Sequence, residues 1–253
     1  MQVRWSKEEG ADYIIAETIS YLREAEIALE VIKSFDLPAV VTMSIPTSEL
    51  SSDGKLQTLD GVPLAKAFQT LIDKGATVTG PNCARGPQQM LEIVEDVIND
   101  GVPPEKICAL PVMFRTTKEE QTFFDLTDKC YPDNNPVYPH GLDAFYVSVA
   151  EVTNFTKQCK ELGLKYMGLC CGNSGNYTRA MAEALGRRPP ASRYHDPTNE
   201  GIDPIKRKRK LEENLKQGNG PPLVPDIINI SRGLGDYTPD FDAIPTDSGG
   251  GGD

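Results

Sequence analysis

No apolar run in the 253-residue sequence approaches the roughly 18 residues that a membrane-crossing helix needs. The opening MQVRWSKEEG lacks the apolar core of a signal peptide. Positive charge is in short supply: 26 Lys and Arg against 37 Asp and Glu leave a net charge of −11, which argues against nucleic acid or a membrane surface as the main partner. Six cysteines, unevenly spaced over this length, do not make a secreted disulfide framework, so a reducing, cytoplasmic setting is expected. With 39% hydrophobic and 25% charged residues, the composition is that of a globular chain carrying a polar segment, in one large domain or two small ones.

Strand and helix patterns alternate along the chain. Met1 to Trp5 reads as the end of a helix. Apolar strands are expected at 13–16, 37–43, 77–80, 107–112 and 166–169. Helices are expected between them: from a Ser20 cap to about Phe35, with Leu22, Ala25, Ile27, Ala28, Val31 and Ile32 inward; over 63–74, with Gly75 as its stop; and from Pro87, with Met90, Leu91, Val94 and Val97 at helical spacing. Two more are expected over 143–162 and 177–185, and the polar, aromatic stretch 115–141 reads as a loop or lid. This alternation predicts a parallel sheet with right-handed crossovers. Residues 187–253 change character, with a basic run at 206–210 and a Gly-, Pro- and Asp-rich end, and are expected to form an extended or disordered arm and tail. The basic run reads as a solvated helix face, with a nuclear signal or a phosphate contact as the alternatives.

In parallel α/β folds the reactive groups gather at the carboxyl ends of the strands. Here those ends carry Glu17-Thr18, Asn82-Cys83 and Cys170-Cys171. Neighbouring thiols share a target only where a strand breaks, and Gly172 supplies a break. A disulfide between adjacent residues is strained. Three thiolates with one open position suit a catalytic zinc better, although Cys83 taken alone also reads as a small buried residue. Cys108, Cys130 and Cys159 read as structural.

Gly80-Pro81-Asn82-Cys83 and Gly168-Leu169-Cys170-Cys171-Gly172 resemble the two zinc motifs of the homocysteine S-methyltransferases. Ala11 to Glu17 (ADYIIAE), Glu24-Ala25-Glu26, and the stretch from Arg179 to Leu185 followed by Pro189-Pro190-Ala191-Ser192 add to the match, and the last resembles the betaine–homocysteine branch. The resemblance implies a (β/α)8 TIM barrel, a zinc held by Cys83, Cys170 and Cys171, and methyl transfer from a small cationic donor, betaine by preference, to the sulfur of homocysteine. It implies that Glu17 binds the substrate ammonium and that Asn82 orients the neighbouring ligand or binds the amino acid. It also implies homo-oligomers linked by the arm. No side chain is assigned as a catalytic acid or base.

The match departs from the family in two ways. Five strand–helix units stand where a barrel has eight, so residues 1–186 are expected to be the carboxyl-terminal part of a barrel, with on the order of 110 residues missing in front. Thr18 stands where betaine-using members carry a phenol. Non-catalytic zinc binding in association with full-length homologues is the alternative function, and a redox-sensing pseudo-enzyme a third.

Overall fold

The computed structural model describes residues 1–45, 54–130, 135–172 and 174–194. All of them lie in the first of the two units into which the chain divides, Met1–Asp196. Helix α1 (Gln2–Glu8) leads into β1 (Ile14–Ile19), followed by α2 (Leu22–Lys33) and β2 (Ala39–Met43). Next come α3 (Leu64–Asp73), β3 (Val78–Pro81), α4 (Pro87–Asn99) and β4 (Cys108–Ala109). A short antiparallel pair, β5 (Thr127–Asp128) and β6 (Asn135–Pro136), precedes α5 (Val149–Glu161), β7 (Tyr166–Met167) and α6 (Gly175–Ala184).

The result is a mixed α/β fold whose long-range strand pairs are parallel. β1, β2 and β3 form one sheet, with Ile15 opposite Val40 and Val40 opposite Val78. Parallel bridges Thr79–Ile107 and Asn82–Leu110 carry the ladder on to β4, which pairs with β7. The spatial order is therefore β1-β2-β3-β4-β7. Among the described residues β1 and β7 are its edges. All five predicted strands are present, and the expected arm and tail lie outside the described residues beyond Tyr194. So does the basic run 206–210.

Every residue of β2 is buried, as a strand covered on both faces requires. Leu22, Ala25, Leu29 and Ile32 of α2, Phe68 and Leu71 of α3, Met90 and Val94 of α4 and Phe155 of α5 pack with Val41, Met43, Ile107 and Ala109 in one core. Each fully buried side chain of this size contributes roughly 1.5–3 kcal/mol. Ile27 and Val31, expected inward, are instead exposed. The inward stripe of α2 follows Leu22, Ala25, Leu29 and Ile32, which is narrower than its apolar content suggests.

The start of α2 also departs from the expected Ser20 cap. Ser20 Oγ donates to Ser44 O at 2.8 Å. The free N–H groups of Leu22 and Arg23 donate instead to the Asp60 carboxylate, at 2.9 and 3.1 Å. Burial works against the Asp60 charge, but the hydrogen bonds from Thr58, Leu22 and Arg23 hold its carboxyl below the usual value. A cap brought in from a distant loop satisfies the same orphan donors as a local one.

Helix α5 starts later than expected, at a capping box in which Ser148 Oγ accepts from the Glu151 N–H and Glu151 accepts from the Ser148 N–H. Glu151 also takes a two-pronged hydrogen bond from Arg115, at 2.9 and 2.7 Å. Arg115, with Ser148 adding to it against the effect of burial, holds the Glu151 carboxyl down at about 2 from an ordinary 4.5. An acid with a depressed pKa stabilises the fold above its ordinary pKa and stops doing so as pH falls to the depressed one. Glu151→Gln should therefore lower the thermal midpoint at pH 6, with the gap to the parent closing as pH falls from about 4.5 to about 2. Thermal unfolding followed across that range checks it; a gap independent of pH would assign the loss to packing.

β3 and β4 approach closely at Gly80, where an added Cβ would meet Cys108 O at 2.2 Å and Cys108 N at 2.8 Å. The two nearest atoms are main-chain atoms of β4, which no rotamer change can move aside. Gly80→Ala should cost about 3 kcal/mol, the upper end of ordinary overpacking, read as a lower urea midpoint; a midpoint unchanged within error would contradict this packing.

Candidate metal centre

β3 ends in Pro81, and the chain turns through Cys83 and Ala84, both at a φ of 59°, before α4 begins. Two successive left-handed residues are costly for L side chains and are held by main-chain bonds: Cys83 N–H to Leu110 O at 2.9 Å and Arg85 N–H to Cys83 O at 2.7 Å. On the other side, Cys170 N–H reaches Pro111 O at 2.7 Å and Met113 N–H reaches Cys171 O at 2.8 Å. Gly172, at a φ of +80°, turns the chain away immediately afterwards. A Cβ there would press on Phe114 Cζ at 3.0 Å and Tyr146 Cε1 at 3.1 Å, so the turn also needs the missing side chain.

These bonds bring the three sulfurs of Cys83, Cys170 and Cys171 within 4.8 Å of one another. Cys83 Sγ lies 3.7 Å from Cys171 Sγ, and Cys170 Sγ lies 3.9 Å from Cys171 Sγ. Tetrahedral zinc–thiolate bonds of about 2.3 Å place two sulfurs about 3.8 Å apart, so the donor set fits zinc in type and in spacing. Cys83 is buried, Cys170 half-buried and Cys171 exposed.

The three thiols do not ionise alike. Cys170 is brought down to about 6, chiefly by hydrogen bonding from Cys83 and further by Cys171, against burial and the negative charge of Glu17. The same Cys83–Cys170 interaction, with burial, pushes Cys83 far up, and burial with the Cys170 charge raises Cys171. Cys83 Sγ lies in contact with Cys171 Sγ, whereas its strongest mutual influence is with Cys170. Within so tight a group the proton is shared, and the direction that holds is one easily ionised thiol beside two that resist. The remaining cysteines stand apart: burial raises Cys108 and takes Cys159 to about 12, and Cys130 is exposed in the 115–141 stretch.

Glu17 lies on exposed β1 surface, near enough for its charge to act on Cys170 and on Tyr166. Tyr166 is raised to about 12, by burial first and then by Tyr13. Asn82 is 1% exposed, and its amide is engaged with Thr18: Oδ1 accepts from Thr18 N–H at 3.1 Å and Nδ2 donates to Thr18 Oγ1 at 2.8 Å. All five residues expected at the site therefore arrive at the carboxyl ends of the strands.

Sequence reasoning missed the wall beside the sulfurs. Phe114 packs on Phe123 and Tyr146 with ring centroids 5.6 and 5.0 Å apart. Cys83, Phe114, Phe123, Leu126 and Val137 form a second apolar cluster against which Cys170 packs. Its signal was the aromatic density after the fourth strand, which reads from sequence only as a loop.

A sequence profile of the homocysteine S-methyltransferase family matches residues 1–185. The chain belongs to this family. S-methylmethionine–homocysteine S-methyltransferase BHMT2 of Pongo abelii is 29% identical over 87% of this chain and 60% of that protein. Betaine–homocysteine S-methyltransferase 1 of Mus musculus is 29% identical over 87% of this chain and 53% of its own length. The chain thus spans between about half and two-thirds of the length of these homocysteine S-methyltransferases. Among solved structures, the spore cortex-lytic enzyme SleL of Bacillus megaterium reaches a TM-score of 0.43 at 13% identity, over 72% of this chain and 51% of that one. A likeness of that size supports no inference.

In the metal-free chain, alkylation of Cys170 by iodoacetamide should rise with a midpoint at about pH 6, while Cys159 and Cys108 stay unmodified. Peptide mapping across a pH series checks this. A Cys170 midpoint near the ordinary thiol value of 9.0 would show that its neighbours do not hold the thiolate.

Proposed function

We infer that this homocysteine S-methyltransferase family member carries the zinc- and homocysteine-binding portion of a methyltransferase that forms methionine. The observation that supports this most is the convergence of three sulfurs, from two different strand ends, within 4.8 Å in a chain whose family acts on homocysteine. The parallel order β1-β2-β3-β4-β7 is read as part of a (β/α)8 barrel wall. Cys83, Cys170 and Cys171 would hold the zinc, leaving its fourth position free for substrate. The metal supplies the Lewis acidity that keeps a thiol ionised at neutral pH.

The chain's own residues do the rest. Glu17 accepts a charge-assisted hydrogen bond from the ammonium of homocysteine, and Asn82 orients this end of the site or contacts the amino acid. The wall of Phe114, Tyr146 and Phe123 excludes water beside the sulfurs, which favours attack of a thiolate over its hydration. In the transfer, the homocysteine sulfur bonds to a methyl carbon of the cationic donor. The bond from that carbon to the donor's nitrogen or sulfur breaks, and the electron pair leaves with a neutral amine or sulfide. Relatives named for betaine and for S-methylmethionine mark the two donor classes. Betaine is the preferred donor by the match at Pro189 to Ser192, although Thr18 leans towards the other branch. Assembly with further copies of the chain and a cytoplasmic setting complete the proposal. No helix among the described residues is long and apolar enough to cross a membrane.

The test is zinc content of the purified chain with and without Cys170→Ala, followed by homocysteine-dependent methyl transfer from labelled betaine or S-methylmethionine. About one zinc per chain, falling at least tenfold in the variant, is expected. Zinc without homocysteine binding would favour the non-catalytic alternative, and a variant with full zinc and full transfer would sink the site.

A further inference from the structure

Thr18 has a φ of 66°, a conformation that a β-branched residue rarely takes. It sits in a bulge of β1: Ala16 is opposite Val41 and Ile19 opposite Met43, so Glu17 and Thr18 together face the single residue Thr42. The Thr18 N–H donates at 3.1 Å to Asn82 Oδ1, and Asn82 Nδ2 returns a bond at 2.8 Å to Thr18 Oγ1. Asn82 belongs to the end of β3, and β2 lies between β3 and β1. The amide therefore reaches past the end of one strand to clamp the next.

Asn82 is itself fixed. Its N–H donates to Met43 O at 3.0 Å, and that of Cys83 to Leu110 O at 2.9 Å. Glu17 immediately precedes one end of the clamp and Cys83 immediately follows the other. Substrate would have to compete with Thr18 for Oδ1, in a side chain only 1% exposed. We propose that Asn82 is a positioning residue: by locking the left-handed Thr18 it sets the place of Glu17 relative to the Cys83 sulfur, and so the distance between the ammonium and the sulfur of the amino acid that fits. Without the clamp Thr18 relaxes to extended backbone and the bulge slips. A one-residue slip turns Glu17 to the opposite face.

The proposal rests on the homocysteine reading, and its test separates the two. The zinc-loaded full chain is titrated calorimetrically with homocysteine and with 4-mercaptobutyrate, the same molecule without its amino group. The parent should prefer homocysteine. Asn82→Ala should keep its zinc and hold 4-mercaptobutyrate within about twofold, while homocysteine weakens by about tenfold or more, the size of one lost charge-assisted bond. Exchange of the Thr18 amide proton should speed up. In Thr18→Gly/Asn82→Ala a glycine takes the left-handed conformation unaided, and most of the preference should return.

Equal weakening of both ligands in Asn82→Ala would overturn the proposal, because a general structural role has that effect. So would a double variant as poor as Asn82→Ala, the result of a direct contact between Asn82 and substrate. If Asn82→Ala does not fold, Thr18→Val replaces the Oγ1 acceptor by a methyl of the same size and leaves the main-chain bond to Asn82 Oδ1. It should then show the same selective loss at about threefold, and equal losses again overturn the proposal. A parent that binds neither ligand refutes the homocysteine reading and this inference with it. A parent that binds both equally refutes this inference alone.

Discussion

Three main-chain hydrogen bonds decide where the sulfurs lie. Cys83 N–H reaches Leu110 O, Cys170 N–H reaches Pro111 O, and Cys171 O accepts from Met113 N–H. All three partners belong to the short run that continues β4, so one segment of backbone aligns the β3 turn on one side and the β7 turn on the other. Slipping either turn by one residue would move its thiols by about 3.3 Å. That is nearly the whole of the 3.7 Å between Cys83 and Cys171. The core behind the strands, with Ile107 and Ala109 fully buried, keeps the segment from moving.

Bringing thiols so close has an electrostatic consequence. At an effective dielectric of about 20, two thiolates about 4 Å apart repel by about 4 kcal/mol, which is about three pKa units. One proton leaves easily and the next is resisted, as the opposite shifts of Cys170 and Cys171 reflect. A divalent cation among them reverses the sign of the whole interaction. The aromatic wall of Phe114 and Phe123 strengthens this by removing water from one side. The cluster is therefore poor as a set of free thiols and well suited to the metal-binding role proposed for it.

What could be read from sequence was periodic or punctuated. The five parallel strands followed from apolar runs bounded by Gly, Pro and Asn, and the starts of α3 and α4 from Pro63 and Pro87. Convergence of Cys83 with Cys170 and Cys171 followed from the rule that strand ends share one face of a parallel sheet. What could not be read depended on partners far along the chain. The cap on α2 comes from Asp60, the inward stripe of α2 is narrower than its apolar content, and Arg115 pairs with the Glu151 of the capping box that starts α5. The Asn82–Thr18 clamp joins residues 64 positions apart. Only the fold reveals that Asn82 spends its amide on backbone geometry.

Glu17 and Cys170 belong to the two edge strands of the row, β1 and the continuation of β7. In a flat sheet with strands about 4.8 Å apart, the first and fifth would be separated by about 19 Å. A surface charge is largely screened beyond about 8–10 Å of salt solution. Yet the Glu17 charge acts on both Cys170 and Tyr166, and Tyr13 of the first edge bears on Tyr166 of the other. The side-chain hydrogen bond between Tyr13, just before β1, and Tyr166 of β7 brings these two ends of the row together, as the right-handed twist of strands allows. Under the function proposed above, that approach would let the Glu17 carboxylate on one edge and the thiols on the other address one small molecule. The amino acid proposed as substrate carries its ammonium and its sulfur only a few bonds apart.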